Sequence, residues 1–194
     1  MKKIIAILLS LLCIVTVFAS CGEKAEEGSD GDSITVSPES VFPMGDEIFK
    51  GTESVDLNGN KIDEDTFKGK KLTMVNIWGT FCHPCIGEMP DLQTLSEEYA
   101  DKDVQVIGIV CDIIDKGDVE KIQLAKDLCA DTGVNYVNVI PSESLNYAIL
   151  DSVISVPVTI FLDEDGKQIG ENYTGSRSLE SWKGIIDSIL ADME

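Results

Sequence analysis

The sequence predicts an α/β domain in which a central mixed β-sheet is flanked by helices and entered through a β-hairpin. Short runs of β-branched and apolar residues alternate with longer segments whose apolar residues recur every three or four positions. That alternation is typical of parallel strands joined by helices. Ahead of it, Asn58-Gly59 lies between two short apolar-containing runs within residues 56–62, which is the strongest local signal for a hairpin.

The first half of the domain supplies a strand that leads directly into a helix. Residues 72–78 (Leu-Thr-Met-Val-Asn-Ile-Trp) are largely apolar and β-branched, as expected of a strand covered on both faces. From residue 84 to residue 99 the apolar side chains follow a helical period. Pro90 lies inside that segment and predicts a bend near the start of the helix, because proline removes a backbone donor.

The second half of the domain continues the alternation. A strand over residues 104–110, an amphipathic helix over 119–130 and a strand over 134–140 give βαβ order, which implies parallel pairing. The remaining predicted elements, in chain order, are a short helix from about Ser142 to Leu150, a strand over 158–162, a turn over 163–166, an antiparallel strand over 167–172 and a closing helix over 179–193.

The start of the chain has the pattern of a targeting segment. Lys2 and Lys3 precede an apolar run over residues 4–18, so residues 1–20 are predicted to be a secretory signal peptide. Phe18-Ala19-Ser20-Cys21 resembles a bacterial lipobox, which implies that Cys21 is lipidated and anchors the chain to a membrane. A plain signal peptide that leaves Cys21 unmodified is the alternative.

The chain is strongly acidic. Residues 21–48 are mostly small, polar or acidic and are predicted to form a flexible tether, followed by a folded domain over residues 49–194. The whole chain has 15 basic and 35 acidic residues, a formal net charge of -20. This excess argues against binding nucleic acid and against attachment to anionic lipid through basic patches. It indicates solubility rather than a particular partner.

Cys82-His83-Pro84-Cys85 lies where the buried strand passes into the helix. Cys82 is therefore expected at the helix N-terminus, where unpaired N–H groups and the helix dipole stabilise a thiolate. Two intervening residues bring Cys85 close enough to form a disulfide with Cys82 and to resolve a mixed disulfide. His83, when protonated, would favour the thiolate further, and a solvent-exposed spacer is the alternative.

A CxxC pair can also be half of a zinc site, with Cys111 and Cys129 as the remaining sulfur ligands. These two cysteines do not form a second CxxC, and zinc gives no reason for a pair placed between a strand and a helix. The sequence therefore favours a redox-active pair, and we expect neither a metal nor another cofactor.

Residues 75–85 (Val-Asn-Ile-Trp-Gly-Thr-Phe-Cys-His-Pro-Cys), followed by Glu88-Met89-Pro90, resemble the active-site region of TlpA/ResA-type thiol-disulfide oxidoreductases. The resemblance extends over roughly residues 49–193 and includes the segment 156–163 with Asp165-Gly166-Lys167 after it. It implies a thioredoxin-like fold, within the thioredoxin superfamily and close to its redoxin/AhpC-TSA members, for nearly the whole domain.

The resemblance assigns further residues to the active site. Pro157 matches a cis proline that lies against the cysteine pair, and Val156 matches the backbone that pairs with an extended substrate; an ordinary strand-entry proline is the alternative. Glu88 matches a glutamate that exchanges a proton with the second cysteine, here Cys85, whereas the alternative is a surface acid early in a helix. The other expected active-site and substrate-contact residues are Trp78, His83 and Pro84.

The resemblance also implies a function. It implies a reductase of envelope protein disulfides, of the type used in cytochrome c maturation, that receives electrons from a membrane thiol transporter of the CcdA/DsbD type. Oxidation of envelope thiols and a peroxiredoxin-like peroxidase activity remain alternatives. The peroxidase requires a nearby arginine, and Arg177 is the only arginine in the chain. A Sco-type copper chaperone requires a distant histidine, whereas the only histidine is His83.

Cys111 and Cys129 have no assigned role in that resemblance. Cys111 follows the strand over 104–110, and Cys129 lies near the end of the next helix. In an oxidising compartment a structural disulfide between them is the favoured interpretation, stabilising the fold by about 3 kcal/mol. Free thiols, or a relay of electrons between Cys111 and Cys85, are the alternatives.

Overall fold

The computed structural model describes residues 48–114, 116–150 and 153–194. These ranges include almost all of the predicted domain. The predicted signal peptide, the lipidation site Cys21 and nearly all of the predicted tether lie outside the described residues and stay predictions. Within the described ranges, no helix combines the length and the apolar character needed to cross a membrane.

A seven-stranded mixed sheet forms the centre of the domain. Its strands in chain order are β1 (Glu53–Asp56), β2 (Lys61–Asp63), β3 (Leu72–Trp78), β4 (Val104–Val110), β5 (Val137–Ile140), β6 (Val158–Leu162) and β7 (Gln168–Thr174). Their spatial order is β2-β1-β5-β4-β3-β6-β7. Strands β3, β4 and β5 are parallel, as the βαβ pattern predicts, and the four remaining strands pair antiparallel at the two sides.

Helices cover both faces of the sheet. They are α1 (His83–Glu98), α2 (Val119–Thr132), α3 (Glu143–Leu150) and α4 (Leu179–Asp192), with single 3₁₀ turns at Glu64–Phe67 and Ala100–Lys102. Core residues of α1, α2 and α4 pack on one face of the sheet. Phe67 of the first 3₁₀ turn and Leu145 of α3 pack on the other face. The predicted arrangement of helices around a mixed sheet is therefore confirmed.

Strand β3 is the strand that leads to the cysteine pair, and all seven of its residues are buried. Because side chains alternate along a strand, Val75 and Ile77 point to the face that holds α3. Leu72, Met74 and Trp78 point to the face that holds α1. This two-sided burial makes β3 a rigid base for the loop that follows it.

The predicted hairpin is present and is joined to the sheet. Its turn is held by Asp56, whose Oδ1 accepts the backbone N–H groups of Asn58 and Asn60, each at 2.8 Å. Gly59 has φ +86°, a left-handed conformation that favours glycine. β1 also pairs antiparallel with β5, for example Val55 with Ile140. No local pattern predicts this second pairing, because it links segments far apart in the chain.

Strand β5 begins at Val137, three residues later than the sequence pattern indicates. The reason is the end of α2, where Gly133 adopts φ +75° and the N–H of Val134 donates to Cys129 O at 2.8 Å. These contacts satisfy carbonyl groups at the helix C-terminus. Val134 therefore belongs to the helix cap, although it is as apolar as a strand residue.

Candidate active site

Cys82 and Cys85 are joined by a disulfide at the N-terminus of α1, with their Cα atoms 5.3 Å apart. Cys82 is the residue that caps the helix, and the N–H of Cys85 donates to its Sγ at 3.2 Å. Both cysteines are buried, whereas His83 and Pro84 between them are exposed. The structure thus brings the pair together at the helix terminus, where a thiolate at Cys82 gains an N–H donor.

The bond between Val156 and Pro157 is cis, as the resemblance implies. The carbonyl oxygen of Val156 lies 3.5 Å from Sγ of Cys82, so this backbone faces the redox pair directly. Pro157 is buried, and its own carbonyl accepts the N–H of Gly175 at 2.8 Å. A backbone carbonyl next to the Cys82 sulfur is a position at which an extended peptide can be held.

The loop between β3 and Cys82 is fixed by Asp112, a residue that sequence reasoning missed. Its carboxylate accepts the backbone N–H of Thr80 at 3.0 Å and the Thr80 hydroxyl at 2.6 Å. Lys121 of α2 donates to the Asp112 carbonyl at 2.8 Å. Asp112 lies just beyond the end of β4, and the carboxyl ends of the neighbouring strands β3 and β4 meet at one edge of the sheet. This position after a strand end was the sequence signal that could have identified Asp112.

Trp78 is fully buried and packs in the cluster that contains Cys82 and Cys85, so its side chain lies behind the cysteine pair and not at the surface. Its indole N–H donates to Asn138 Oδ1 at 2.8 Å, in the layer between the sheet and the helices. Gly108 provides the space for this hydrogen bond, because a Cβ at position 108 would overlap the Asn138 amide and lie 3.1 Å from the indole nitrogen. Trp78 therefore supports the sheet behind the cysteine pair.

Gly108→Ala is expected to destabilise the domain by about 2 kcal/mol, because the added methyl forces the Asn138 amide away from Trp78. Urea unfolding midpoints at constant slope measure the change. Gly184→Ala is the matched control, since Gly184 is exposed on α4 and a Cβ there meets nothing within 4 Å. Equal midpoints for Gly108→Ala and the wild type would contradict the packing argument.

Glu88 is buried on α1, only 3% exposed, and its carboxylate is held by three N–H donors. Asn76 of β3 donates to Oε1 at 3.1 Å, and the backbone N–H of Arg177 and the Trp182 indole N–H donate to Oε2 at 3.1 and 3.4 Å. Burial raises the pKa of Glu88 above its ordinary value, and the three donors and the Arg177 charge oppose that rise. Glu88 is thus a buried, hydrogen-bonded carboxyl group and not a surface acid.

The buried Tyr136 hydroxyl has no hydrogen-bond partner among the described residues. Burial raises the pKa of Tyr136, and the nearby charges of Cys129 and Glu88 raise it further. The phenol therefore stays neutral while Glu88 titrates. Its ring packs against the cluster that contains both active-site cysteines.

Cys111 and Cys129 are free thiols in the structure, which contradicts the favoured disulfide. Cys111 packs with Ile107 and Ile109 on the face that holds α3, whereas Cys129 of α2 packs with Val110 on the opposite face. The alternation of side chains along a strand separates the two thiols by the thickness of the sheet. Burial raises the pKa of each thiol to about 11. Neither thiol is activated for exchange.

The zinc alternative fails for the same reason, since ligands on opposite faces of a sheet cannot converge on one ion. Among the described residues, no group of three or more histidine, cysteine, aspartate or glutamate side chains is arranged to hold a metal. The paired cysteines therefore remain the chemically distinctive feature of the described chain.

The described chain combines this strand order with a cysteine pair at the start of a helix and a cis proline opposite the pair. Comparison of its sequence with protein families identifies the family to which it belongs. Residues 43–181 match the model of the Redoxin family. This chain belongs to the Redoxin family. The sequence-based identification is thereby confirmed at the level of the family.

Curated relatives of this Redoxin chain include thiol-disulfide oxidoreductases. It is 31% identical over 137 residues to a thiol-disulfide oxidoreductase ResA of Bacillus cereus, over 69% of this chain and 72% of that protein. It is 34% identical over 111 residues to thioredoxin-like protein YneN of Bacillus subtilis, over 57% of this chain and 60% of YneN.

Solved structures show the same fold. A thiol:disulfide interchange protein of the thioredoxin family from Chlorobium tepidum superposes with a TM-score of 0.58 at 22% identity, over 70% of this chain and 90% of that one. A secreted disulfide oxidoreductase of Mycobacterium tuberculosis superposes with a TM-score of 0.57 at 19% identity, over 74% and 99%. The predicted thioredoxin-like fold is confirmed.

Proposed function

We propose that this chain is an extracytoplasmic thiol-disulfide oxidoreductase that reduces protein disulfides of the bacterial envelope through Cys82 and Cys85. The observation that carries the proposal is the Cys82–Cys85 pair at the N-terminus of α1, 3.5 Å from the Val156 carbonyl beside a cis proline. The ResA relatives carry thiol-disulfide oxidoreductase as their name, which supports the same class of reaction here.

The reaction begins from the reduced pair. The Cys82 thiolate attacks one sulfur of a substrate disulfide, forms a mixed disulfide and displaces the first substrate thiolate. The Cys85 thiolate then attacks Sγ of Cys82, closes the intramolecular disulfide and releases the second substrate thiolate. Two electrons pass from the cysteine pair to the substrate, and no cofactor takes part.

Glu88 is proposed to take the proton of the Cys85 thiol in the second step. It lies three residues after Cys85 on α1, and residues at this spacing share a helix face. Its pKa is raised by burial, which brings a carboxylate closer to the working range of a general base. Asn76 holds this carboxylate in place by donating to both Glu88 and Thr159, at 3.1 and 3.0 Å.

Substrate recognition is proposed to use the backbone at Val156, with His83 and Pro84 at the exposed rim. Phe81, directly before the pair, is 66% exposed, and Ile154, two residues before Val156, is 86% exposed. Large apolar side chains beside the Val156 carbonyl suit an unfolded or extended polypeptide better than a small polar oxidant.

The cellular setting of the proposal follows from the first residues of the chain. A signal peptide over residues 1–20 and a lipid on Cys21 would place the domain outside the cytoplasm, attached to a membrane by the tether over residues 21–48. A membrane thiol transporter of the CcdA/DsbD type would return the Cys82–Cys85 disulfide to the dithiol. Nucleic acid is not a proposed partner, because the formal net charge of the chain is -20.

A peroxidase function finds less support in the geometry. Such a site needs an arginine beside the attacking sulfur, and Arg177 instead donates to the carbonyls of Thr174 and Gly175 at 3.3 and 2.9 Å. Its guanidinium also lies 5.1 Å from each of the Tyr173 and Trp182 ring centroids. The exchange reaction requires no such cation.

The reduction potential of the Cys82–Cys85 pair tests the direction of the reaction. The protein is equilibrated across glutathione buffers, alkylated and analysed by mass spectrometry at each cysteine. A value below about -250 mV supports a reductase supplied by a membrane donor. A value above about -150 mV would instead assign the chain to the oxidation of envelope thiols. Failure to form a disulfide at all would contradict the exchange mechanism.

A further inference from the structure

The last residue of β7 and the loop that joins it to α4, together called loop 174–178, contact both halves of the active site. The N–H of Gly175 donates to Pro157 O at 2.8 Å, on the segment that faces Cys82. Two residues later, the N–H of Arg177 donates to Glu88 Oε2 at 3.1 Å. One short segment therefore joins the cis-proline backbone to the buried carboxylate.

The Arg177 side chain holds this loop in shape. Its Nη1 donates back to the carbonyls of Thr174 and Gly175, at 3.3 and 2.9 Å, which closes the loop on itself. The guanidinium packs over the rings of Tyr173 and Trp182, at 5.1 Å from each centroid. The indole N–H of Trp182 in turn donates to the same Glu88 oxygen, at 3.4 Å.

The charged and titratable groups around Glu88 come from several elements. Arg177 from the loop supplies positive charge, and Tyr136 near the start of β5 supplies a neutral phenol. On α1 itself lie Cys85, one turn before Glu88, and Asp91, which accepts the N–H of Leu179 at 3.1 Å. Arg177 is thus the group of this set whose charge and backbone donor both favour the ionised carboxylate.

We propose that Arg177 is a positioning residue for disulfide exchange, holding loop 174–178 so that it fixes the Glu88 carboxylate and the Pro157 carbonyl together. The inference rests on the proposed role of Glu88 as the base for Cys85. Loss of the Arg177 side chain loosens one segment and so affects two steps, proton transfer at Glu88 and the contact made by the substrate at Val156.

The test compares Arg177→Met with Arg177→Lys in steady-state reduction of insulin disulfides across pH. Arg177→Met is expected to move the acidic limb of the rate profile upward by about one pH unit, because the ionised Glu88 loses a counter-charge. It is also expected to raise the KM for insulin several-fold. Arg177→Lys keeps a charge but loses the planar guanidinium that packs over the Tyr173 and Trp182 rings, so it should show a smaller change in the same direction.

Lys183→Met is the matched control, since it removes one positive charge from α4 at a side chain that pairs with Glu98. It should leave both the pH profile and the KM at their wild-type values. If Arg177→Met does not fold, as judged by circular dichroism, the Arg177→Lys comparison decides. A wild-type profile and KM in the folded variant would overturn the proposal.

Glu88→Gln separates the two proposals. If this variant alone keeps the wild-type pH profile, the role of Glu88 as a base fails. If Glu88→Gln removes the acidic limb while the Arg177 variants leave it unmoved, the base stands and the positioning role of Arg177 fails. The double variant is expected to show the same flat profile as Glu88→Gln, because both substitutions act on one group.

Discussion

Cys82→Ser is expected to lower the rate of disulfide exchange by about a thousandfold or more, the largest effect of any single substitution in this domain. The serine hydroxyl cannot form the covalent intermediate with a substrate sulfur. It can still accept the N–H of Cys85 at the helix terminus, as the Cys82 sulfur does at 3.2 Å. The fold is therefore expected to survive while the chemistry is lost.

Insulin reduction with a dithiol donor measures this loss. Cys129→Ser provides the matched control, because it makes the same change at a thiol that is free, buried and on another helix. Cys85→Ser tests the order of attack, since it should accumulate a mixed disulfide through Cys82 that mass spectrometry detects. Accumulation through position 85 in Cys82→Ser instead would reverse the assigned roles of the two cysteines.

The parts of this site that the sequence predicts are those with a local pattern. The buried run over β3 and the helical period after it place Cys82 at a helix N-terminus without any long-range information. Pro157 and Glu88 were assigned by resemblance, and the structure has the first in a cis bond and the second in a buried hydrogen-bonded position.

The parts that the sequence did not predict depend on contacts between distant segments. Asp112 holds Thr80 across 32 positions, and Arg177 reaches Glu88 across 89 positions. The expected disulfide between Cys111 and Cys129 was wrong because it too depends on a distant contact. Their separation in the chain suits a disulfide, but one residue of strand register decides which face of the sheet Cys111 joins. Face assignment needs the pairing of the sheet, which no single segment contains.

Glu88→Gln is expected to slow exchange by about a hundredfold near neutral pH and to remove the acidic limb of its pH dependence. Glutamine keeps the size of the side chain and an oxygen that can accept from Arg177 N–H and Trp182, but it cannot take a proton from Cys85. The attack by Cys82 is unaffected in this scheme. Single-turnover experiments should therefore show normal formation of the mixed disulfide and slow resolution by Cys85.

Asp91→Asn is the comparison for that substitution. Asp91 lies three residues beyond Glu88 on α1 and accepts a backbone N–H of α4, so it tests loss of a neighbouring carboxylate. Its resolution rate should match that of the wild type. Slow resolution in Asp91→Asn together with normal resolution in Glu88→Gln would show that Asp91, and not Glu88, takes the proton of Cys85.

Stability gives Glu88 a second, independent signature. Burial raises the pKa of Glu88 in the folded state above its ordinary value of 4.5, so the unfolded chain releases this proton first as pH rises. Below pH 4.5 the Glu88 carboxyl is protonated in both the folded and the unfolded state, so the burial of its charge does not lower stability. Above the raised pKa the carboxylate is charged in both states, and the full cost of burying that charge lowers stability. The free energy of unfolding of the oxidised wild type should therefore fall, relative to that of Glu88→Gln, as pH rises through this window. A difference between the two proteins that stays constant in urea titrations from about pH 4 to about pH 8 would mean that the N–H donors from Asn76, Arg177 and Trp182 fully offset the burial of the charge.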